Sequence, residues 1–425
     1  MVVGPNQGEG NMRSRRTDVT RPGTAHRGRR AFVRTVAALA LVGALGFTAA
    51  CGGGGAAWRA AGEGGGAVEK PPIASATVTS PAADATDVPT VMAVTFETKL
   101  ATESGIEVTD PAGAAVKGTV NKAGTRWVPA AQLKYATTYT ITVTATGEDD
   151  KTATATSAFT TMGKPDKQIR VSSFLGDGAV VGVGMPLIVR FSQPVPKDFR
   201  DDVQRRMTVH SEPKQVGAWH WVSGTEVRYR PKTYWKANTR ISYHVATSGL
   251  PMGDGWYGRN DLTVGVKTGS AVIMTVDDAT KQMTVKRNGK VLRTIPVSLG
   301  KATTPSSSGT MLIIQKYRKT VFDTLEELGP EEGYRIDIEY AQRLTWGGEY
   351  IHAAPWSVAQ QGHTNVSHGC VNVSMSNAEW LFGITKIGDP VTVKGTERKL
   401  QMWNGWTDWN FSWQQWIKGS ALPVT

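Results

Sequence analysis

The sequence predicts a mainly β protein: two tandem immunoglobulin-like β-sandwiches, a third β domain, and a short tryptophan-rich tail. Three observations predict it. Region 73–268 consists of short β-branched stretches separated by Gly, Pro, Asp and Thr turns, with no competing helical period. Its two halves resemble each other at an offset of one sandwich length. Downstream, the helix signal is confined to 376–385, where Ser374 or Ser376 is placed to cap its start.

The chain has 425 residues, which at ~100–200 residues per domain implies several domains. With 40% hydrophobic and 20% charged residues it can build real cores, which excludes disorder of the whole chain. Only Cys51 and Cys370 occur, excluding a disulfide-dense scaffold and a four-cysteine zinc site. The net charge of +12 looks like a nucleic-acid signal until it is located: eight arginines against Glu9 and Asp18 put half of it in residues 1–50. The remainder has no Lys/Arg run interleaved with aromatics, so no nucleic-acid partner is expected.

In order along the chain, residues 1–51 read as an export signal. A basic region precedes an apolar run at 35–50, shorter than the ~20 residues of a spanning helix. Arg29-Arg30-Ala31-Phe32-Val33-Arg34 resembles a twin-arginine motif, and Thr48-Ala49-Ala50-Cys51 resembles a lipobox, which makes Cys51 a lipidation site and the membrane a partner. The competing reading is an ordinary secretory signal with Cys51 incidental. Residues 52–72, rich in glycine, form a tether. The first sandwich is placed at 73–164 and the second at 166–268. Val94-Thr95-Phe96 corresponds to Val189-Arg190-Phe191, and Trp127-Val128-Pro129 to Tyr229-Arg230-Pro231. Neither holds a catalytic cluster; His210, His220 and His244 are scattered, so both sandwiches are expected to act as spacers.

The third β domain is placed at 270–394, with Asn288-Gly289 as a tight hairpin turn. In the tail, 395–425, Trp403, Trp406, Trp409, Trp413 and Trp416 exceed what so short a segment buries alone. The tail is therefore expected to pack on the preceding domain; a carbohydrate-binding strip is the alternative.

His352, His363 and His368 crowd just before Cys370. A free thiol is mostly protonated at neutral pH, so a cysteine nucleophile needs an imidazole or a cationic surrounding. In Ser367-His368-Gly369-Cys370-Val371-Asn372 the glycine lets the chain turn so that backbone N–H groups face a developing oxyanion. A zinc site of three imidazoles and a thiolate matches no common spacing, and a structural cysteine fits poorly with such polar neighbours. No metal and no cofactor are expected.

Ile351-His352-Ala353-Ala354-Pro355-Trp356-Ser357, then Gly362-His363-Thr364-Asn365, then the segment around Cys370, resemble the signature of the L,D-transpeptidase catalytic domain (YkuD type). The sandwiches and tail resemble those of actinobacterial members. The resemblance implies a YkuD-type β-sandwich catalytic domain and a peptidoglycan acyltransferase. It implies that Cys370 attacks the third residue of a donor tetrapeptide stem, releases D-alanine, and passes the acyl group to an acceptor stem as a 3→3 cross-link. By the same resemblance His352 is the base, oriented by the Ala353 carbonyl. Backbone N–H groups at His368, Gly369 and Cys370 stabilise the oxyanion, while Tyr334, Trp356, Asn372 and the His368 side chain contact substrate. Carbapenems are implied as covalent inhibitors, and the location as the cell-wall space at the outer face of the cytoplasmic membrane. Ala353 stands where many relatives have serine, and the lid 323–333 is shorter and more acidic than the familiar form. An L,D-carboxypeptidase and a non-catalytic wall-binding lipoprotein are the alternatives. A sortase-like enzyme would need an arginine soon after the cysteine, and none lies between Cys370 and Arg398.

Overall fold

A computed structural model describes residues 72–323, 325–332 and 335–424, so the leader with Cys51, most of the tether, and Tyr334 lie outside the described residues. Alternation builds the first sandwich: along Thr138–Thr146, Tyr139, Ile141, Val143 and Ala145 point inward and the threonines between them outward. One of its sheets is ordered Ser75–Ser80, Val94–Lys99, Arg126–Pro129, Gly118–Val120. The other is ordered Ala85–Val88, Thr152–Thr161, Thr138–Thr146, Glu103–Thr109.

The second sandwich repeats this topology. Its sheets are Val171–Ser173, Leu187–Phe191, Glu226–Pro231, Gly217–Trp221, and Ala179–Val181, Leu262–Thr268, Arg240–Val245, Met207–Glu212. Both copies have a parallel pairing at the same place, Ala85 beside Phe159 in the first and Ala179 beside Val266 in the second, and the second adds another between Gln168–Ile169 and Tyr257–Gly258. The segments matched in sequence, Val94-Thr95-Phe96 and Val189-Arg190-Phe191, lie on equivalent strands.

The third unit has a six-stranded sheet, Lys290–Pro296, Gln282–Arg287, Val272–Asp277, Pro390–Lys394, Ser307–Leu312, Arg398–Lys399. Its second sheet is Gln315–Asp323, Arg335–Arg343, Tyr350–Ala353, Val371–Val373. Asn288 and Gly289 both take positive φ, 50° and 83°, at the turn between the first two strands. The helix Met375–Ile384 begins at Ser374, whose hydroxyl accepts the Asn377 N–H at 3.3 Å. It packs Ala378 and Leu381 into a core shared with Val276, Val285, Ile351 and Val373.

The second sandwich is not an independent spacer. Its core continues into Leu312, Ile314 and Trp406. At the seam Gly182 N–H donates to Ile387 O at 2.7 Å and Gly184 N–H to Gly388 O at 2.9 Å. A Cβ on Gly182 would fall 2.1 Å from Asp389 N, so the approach requires glycine.

The tail also departs from expectation, because its tryptophans pack chiefly on the second sandwich. Trp416 Nε1–H donates to Ala218 O at 3.0 Å and Trp409 Nε1–H to Gly184 O at 2.7 Å. Arg228 pairs with buried Asp408 at 2.9 Å. Arg230 lies over the rings of Trp409, Trp413 and Trp416. Two arginines on a buried strand supply what the indoles seek, apolar stems capped by charge. None of the five tryptophans is exposed, which removes the carbohydrate strip. Asn410 still ties the tail to the third domain, accepting Thr310 N–H at 2.8 Å.

Candidate active site

Sheet pairing assembles the site. Tyr350–Ala353 runs parallel to Val371–Val373 with His352 opposite Asn372, so segments distant in sequence become neighbours. The Val371–Val373 strand is held on its other side by Ser298, which exchanges backbone hydrogen bonds of 3.1 and 2.9 Å with Asn372. His352, Trp356, His368, Cys370 and Asn372 line one cavity of about 250 Å³, together with Ile336, Val366 and Ser367. A larger cavity of about 540 Å³ lies on the second sandwich between His210, Glu212, Arg240 and Lys267, with no cysteine in its lining.

His352 is buried, with Nδ1 2.8 Å from Ala353 O. Nδ1–H therefore donates to that carbonyl and Nε2 keeps its lone pair. Burial lowers the imidazole pKa, which favours the neutral ring. The turn after His352 is fixed by Ser357 and Gln361, which donate to Ala354 O at 3.2 and 3.1 Å. Trp356, exposed at the mouth, tilts over the imidazole at 6.0 Å between ring centres. Asn372 donates to Ser357 Oγ at 3.2 Å, and its buried Oδ1 has no hydrogen-bond partner among the described residues.

Cys370 is buried, its Sγ 3.8 Å from Gly348 O. Burial pushes its thiol up to about 12, opposed by a hydrogen bond from Tyr350 N–H and reinforced by the nearby Glu349 carboxylate. Sequence reasoning allowed for a cationic surrounding; the nearest acidic group is instead Glu349, itself ion-paired with Arg398. The loop before it is braced by its own serine: Ser367 Oγ donates to Cys370 O at 2.7 Å and accepts Gly369 N–H at 3.1 Å. Gly369, at φ +124°, has its carbonyl held by Ser306 Oγ at 2.7 Å. Of the N–H groups expected at the oxyanion, that of Gly369 is therefore engaged with Ser367 at rest. Ala353 takes part through its carbonyl, and His363 is exposed and does not line the cavity. Sequence reasoning assigned no role to Glu349, Ser306, Ser357 or Ile336; of the bracing residues, Ser357 and Ser367 lay inside the motifs and carried a local signal.

The description "L,D-transpeptidase catalytic domain" matches residues 271–393, and "Bacterial Ig domain" matches 85–251. L,D-transpeptidase 2 of Mycobacterium tuberculosis (strain CDC 1551 / Oshkosh) is 37% identical over 316 residues, 73% of this chain and 76% of that one. The chain belongs to the L,D-transpeptidase family. A second relative, L,D-transpeptidase 5 of M. tuberculosis (strain H37Rv), is 32% identical over 84% of this chain and 79% of its own. A solved LD transpeptidase in complex with imipenem is 38% identical, covering 52% of this chain and 97% of that one with a TM-score of 0.46.

This L,D-transpeptidase is a cysteine-dependent acyltransferase. The segment 323–333 expected as a lid lies at the tip of the hairpin Gln315–Asp323 and Arg335–Arg343, where the short helix Leu325–Glu332 is kinked at Gly329 (φ 75°). Ile336, on the second strand of that hairpin, lines the cavity. Among the described residues no helix is long and apolar enough to cross a membrane.

Proposed function

We propose that this L,D-transpeptidase forms 3→3 cross-links in peptidoglycan through an acyl-thioester on Cys370. The observation that carries the reading is that Cys370 and His352 share one small cavity, with His352 Nδ1–H committed to Ala353 O. The thiol proton passes to His352 Nε2 as Sγ attacks the carbonyl carbon of the third stem residue. Backbone N–H groups at the His368–Gly369–Cys370 turn face the oxyanion, Gly369 by releasing Ser367 Oγ. Collapse breaks the C–N bond, His352 returns the proton to the leaving D-alanine, and the thioester remains. An acceptor side-chain amine then attacks the thioester carbon and gives its proton through His352 to the departing sulfur. Asn372 Oδ1 is a ready acceptor for a substrate N–H, Trp356 and the His368 side chain bound the mouth, and Tyr334 contacts substrate from the lid. With water as acceptor the same steps give an L,D-carboxypeptidase. The strained carbonyl of a carbapenem acylates the same sulfur. The enzyme works outside the cytoplasm, tethered by a lipid on Cys51.

Incubating the protein with a disaccharide-tetrapeptide and analysing products by mass spectrometry tests the reading. A cross-linked dimer and free D-alanine are expected from wild type and neither from Cys370→Ala; turnover by Cys370→Ala rejects it.

A further inference from the structure

Behind the nucleophile lies a charge pair, with Glu349 buried and Arg398 reaching in from the surface, that the reaction above does not use. Glu349, 6% exposed, directs Oε1 to Ser307 N–H at 3.1 Å, Ser307 Oγ at 2.9 Å and the Arg398 guanidinium. Its backbone is also tied down, with N–H donated to Thr345 Oγ1 at 3.0 Å and C=O accepting Leu344 N–H at 2.8 Å. The residues on either side of it bracket the sulfur: Gly348 presents its carbonyl 3.8 Å from Sγ, and Tyr350 donates its N–H to the sulfur. A Cβ on Gly369 would lie 3.5 Å from Arg398 Nη2 and 3.7 Å from Glu349 Cγ, so the pair sits directly behind the loop that carries Cys370. Adjacent serines hold both walls, Ser306 the loop through Gly369 O and Ser307 the segment through Glu349.

We propose that Glu349 and Arg398 are positioning residues: Glu349 pins segment 348–350 so that one carbonyl and one N–H embrace the Cys370 thiol, and Arg398 neutralises the Glu349 charge that would otherwise oppose thiolate formation. This rests on Cys370 as nucleophile. The arginine that sequence separation had excluded from the cysteine's company thus reaches it from the strand Arg398–Lys399, through a carboxylate rather than through substrate. The ionisable groups facing the sulfur are His352 and His368 across the cavity, Tyr350 beside it, and Glu349 with Arg398 behind it. The last two form an ion pair whose halves can be removed separately.

The test is the pH profile of Cys370 alkylation by iodoacetamide in the full chain carrying Cys51→Ser, which leaves one thiol. Arg398→Met strips the compensating charge and is expected to move the profile about one pH unit upward, about tenfold slower at fixed pH. Arg398→Lys should keep the wild-type profile. Glu349→Gln combined with Arg398→Met removes the charge and should return the rate to within about twofold of Glu349→Gln alone. An unmoved profile in Arg398→Met, or a double variant as slow as Arg398→Met, overturns the proposal, the second result assigning the pair to packing only. Alkylation reads the thiol whether or not Cys370 carries the reaction, so failure here is separable from failure of the Cys370→Ala assay.

Discussion

Cys370 and His352 are each held in the neutral form by burial, and this decides how the sulfur becomes a nucleophile. A preformed thiolate–imidazolium pair would need net cationic help, and burial disfavours the thiolate while the nearby Arg398 is matched by Glu349. On the proposed reading the proton therefore moves during attack, with His352 as general base. Iodoacetamide, which recruits no base, is expected to alkylate Cys370 at pH 7 more slowly than a free thiol, at a rate still climbing above pH 9. A plateau at neutral pH would reveal a resting ion pair. Because the His352 pKa lies below the ordinary imidazole value, acylation by a carbapenem should hold its rate as pH falls through 6.5 and decline only below it. His352→Gln, which leaves the thiol without a base, should lower acylation by about 10²–10⁴-fold, measured by mass shift over time. At this scale the sequence was highly legible, because the His-Gly-Cys turn and the histidine before it are local chemistry. Glu349 was not legible: its importance arises from strand pairing and from Arg398 arriving after a further strand.

Elements tell a similar story. The Asn288-Gly289 turn, the Ser374 cap and the strand alternation of the first sandwich follow from short-range rules. The tail does not, since five tryptophans announce that they need a surface without saying which. The answer lay in Glu226–Pro231, where Arg228 and Arg230 look solvent-facing in sequence and are buried in the fold. Removing Asp408 leaves Arg228 with only Glu226 at a site closed to water, so Asp408→Ala should cost about 3–5 kcal/mol in a denaturant titration. The short helix Trp413–Ile417 opens with a reciprocal cap between Ser412 and Gln415. Ser412→Ala should cost about 1 kcal/mol, loosening the tail before the rest unfolds.

Across the whole molecule, the third domain and the second sandwich share one core, so a fragment of residues 271–425 should be insoluble or molten where 166–425 folds cooperatively by calorimetry. The repeat and the domain order were legible in sequence; the seam was not, because it is made by glycine backbones that carry no pattern. Asp389 sits on that seam, accepting Lys386 N–H at 2.7 Å, and burial pushes its carboxyl up to about 7. A folded value above the ordinary carboxylate range means a stabilising contribution complete below about pH 4 and lost as pH rises through 7. Thermal stability should therefore fall between pH 4 and 7, and Asp389→Asn should flatten that fall.

The tail crossing back to the second sandwich has one more consequence, for the order in which the molecule is completed. Protein synthesis runs from the N-terminus, so the strands Gly217–Trp221 and Glu226–Pro231 leave the ribosome long before the Trp416 that covers them. The middle of the protein stays open until the tail arrives. Translation that stops short of the tail should thus yield a chain with an intact nucleophile and an uncovered sheet face, a substrate for quality-control proteases rather than an enzyme with reduced activity.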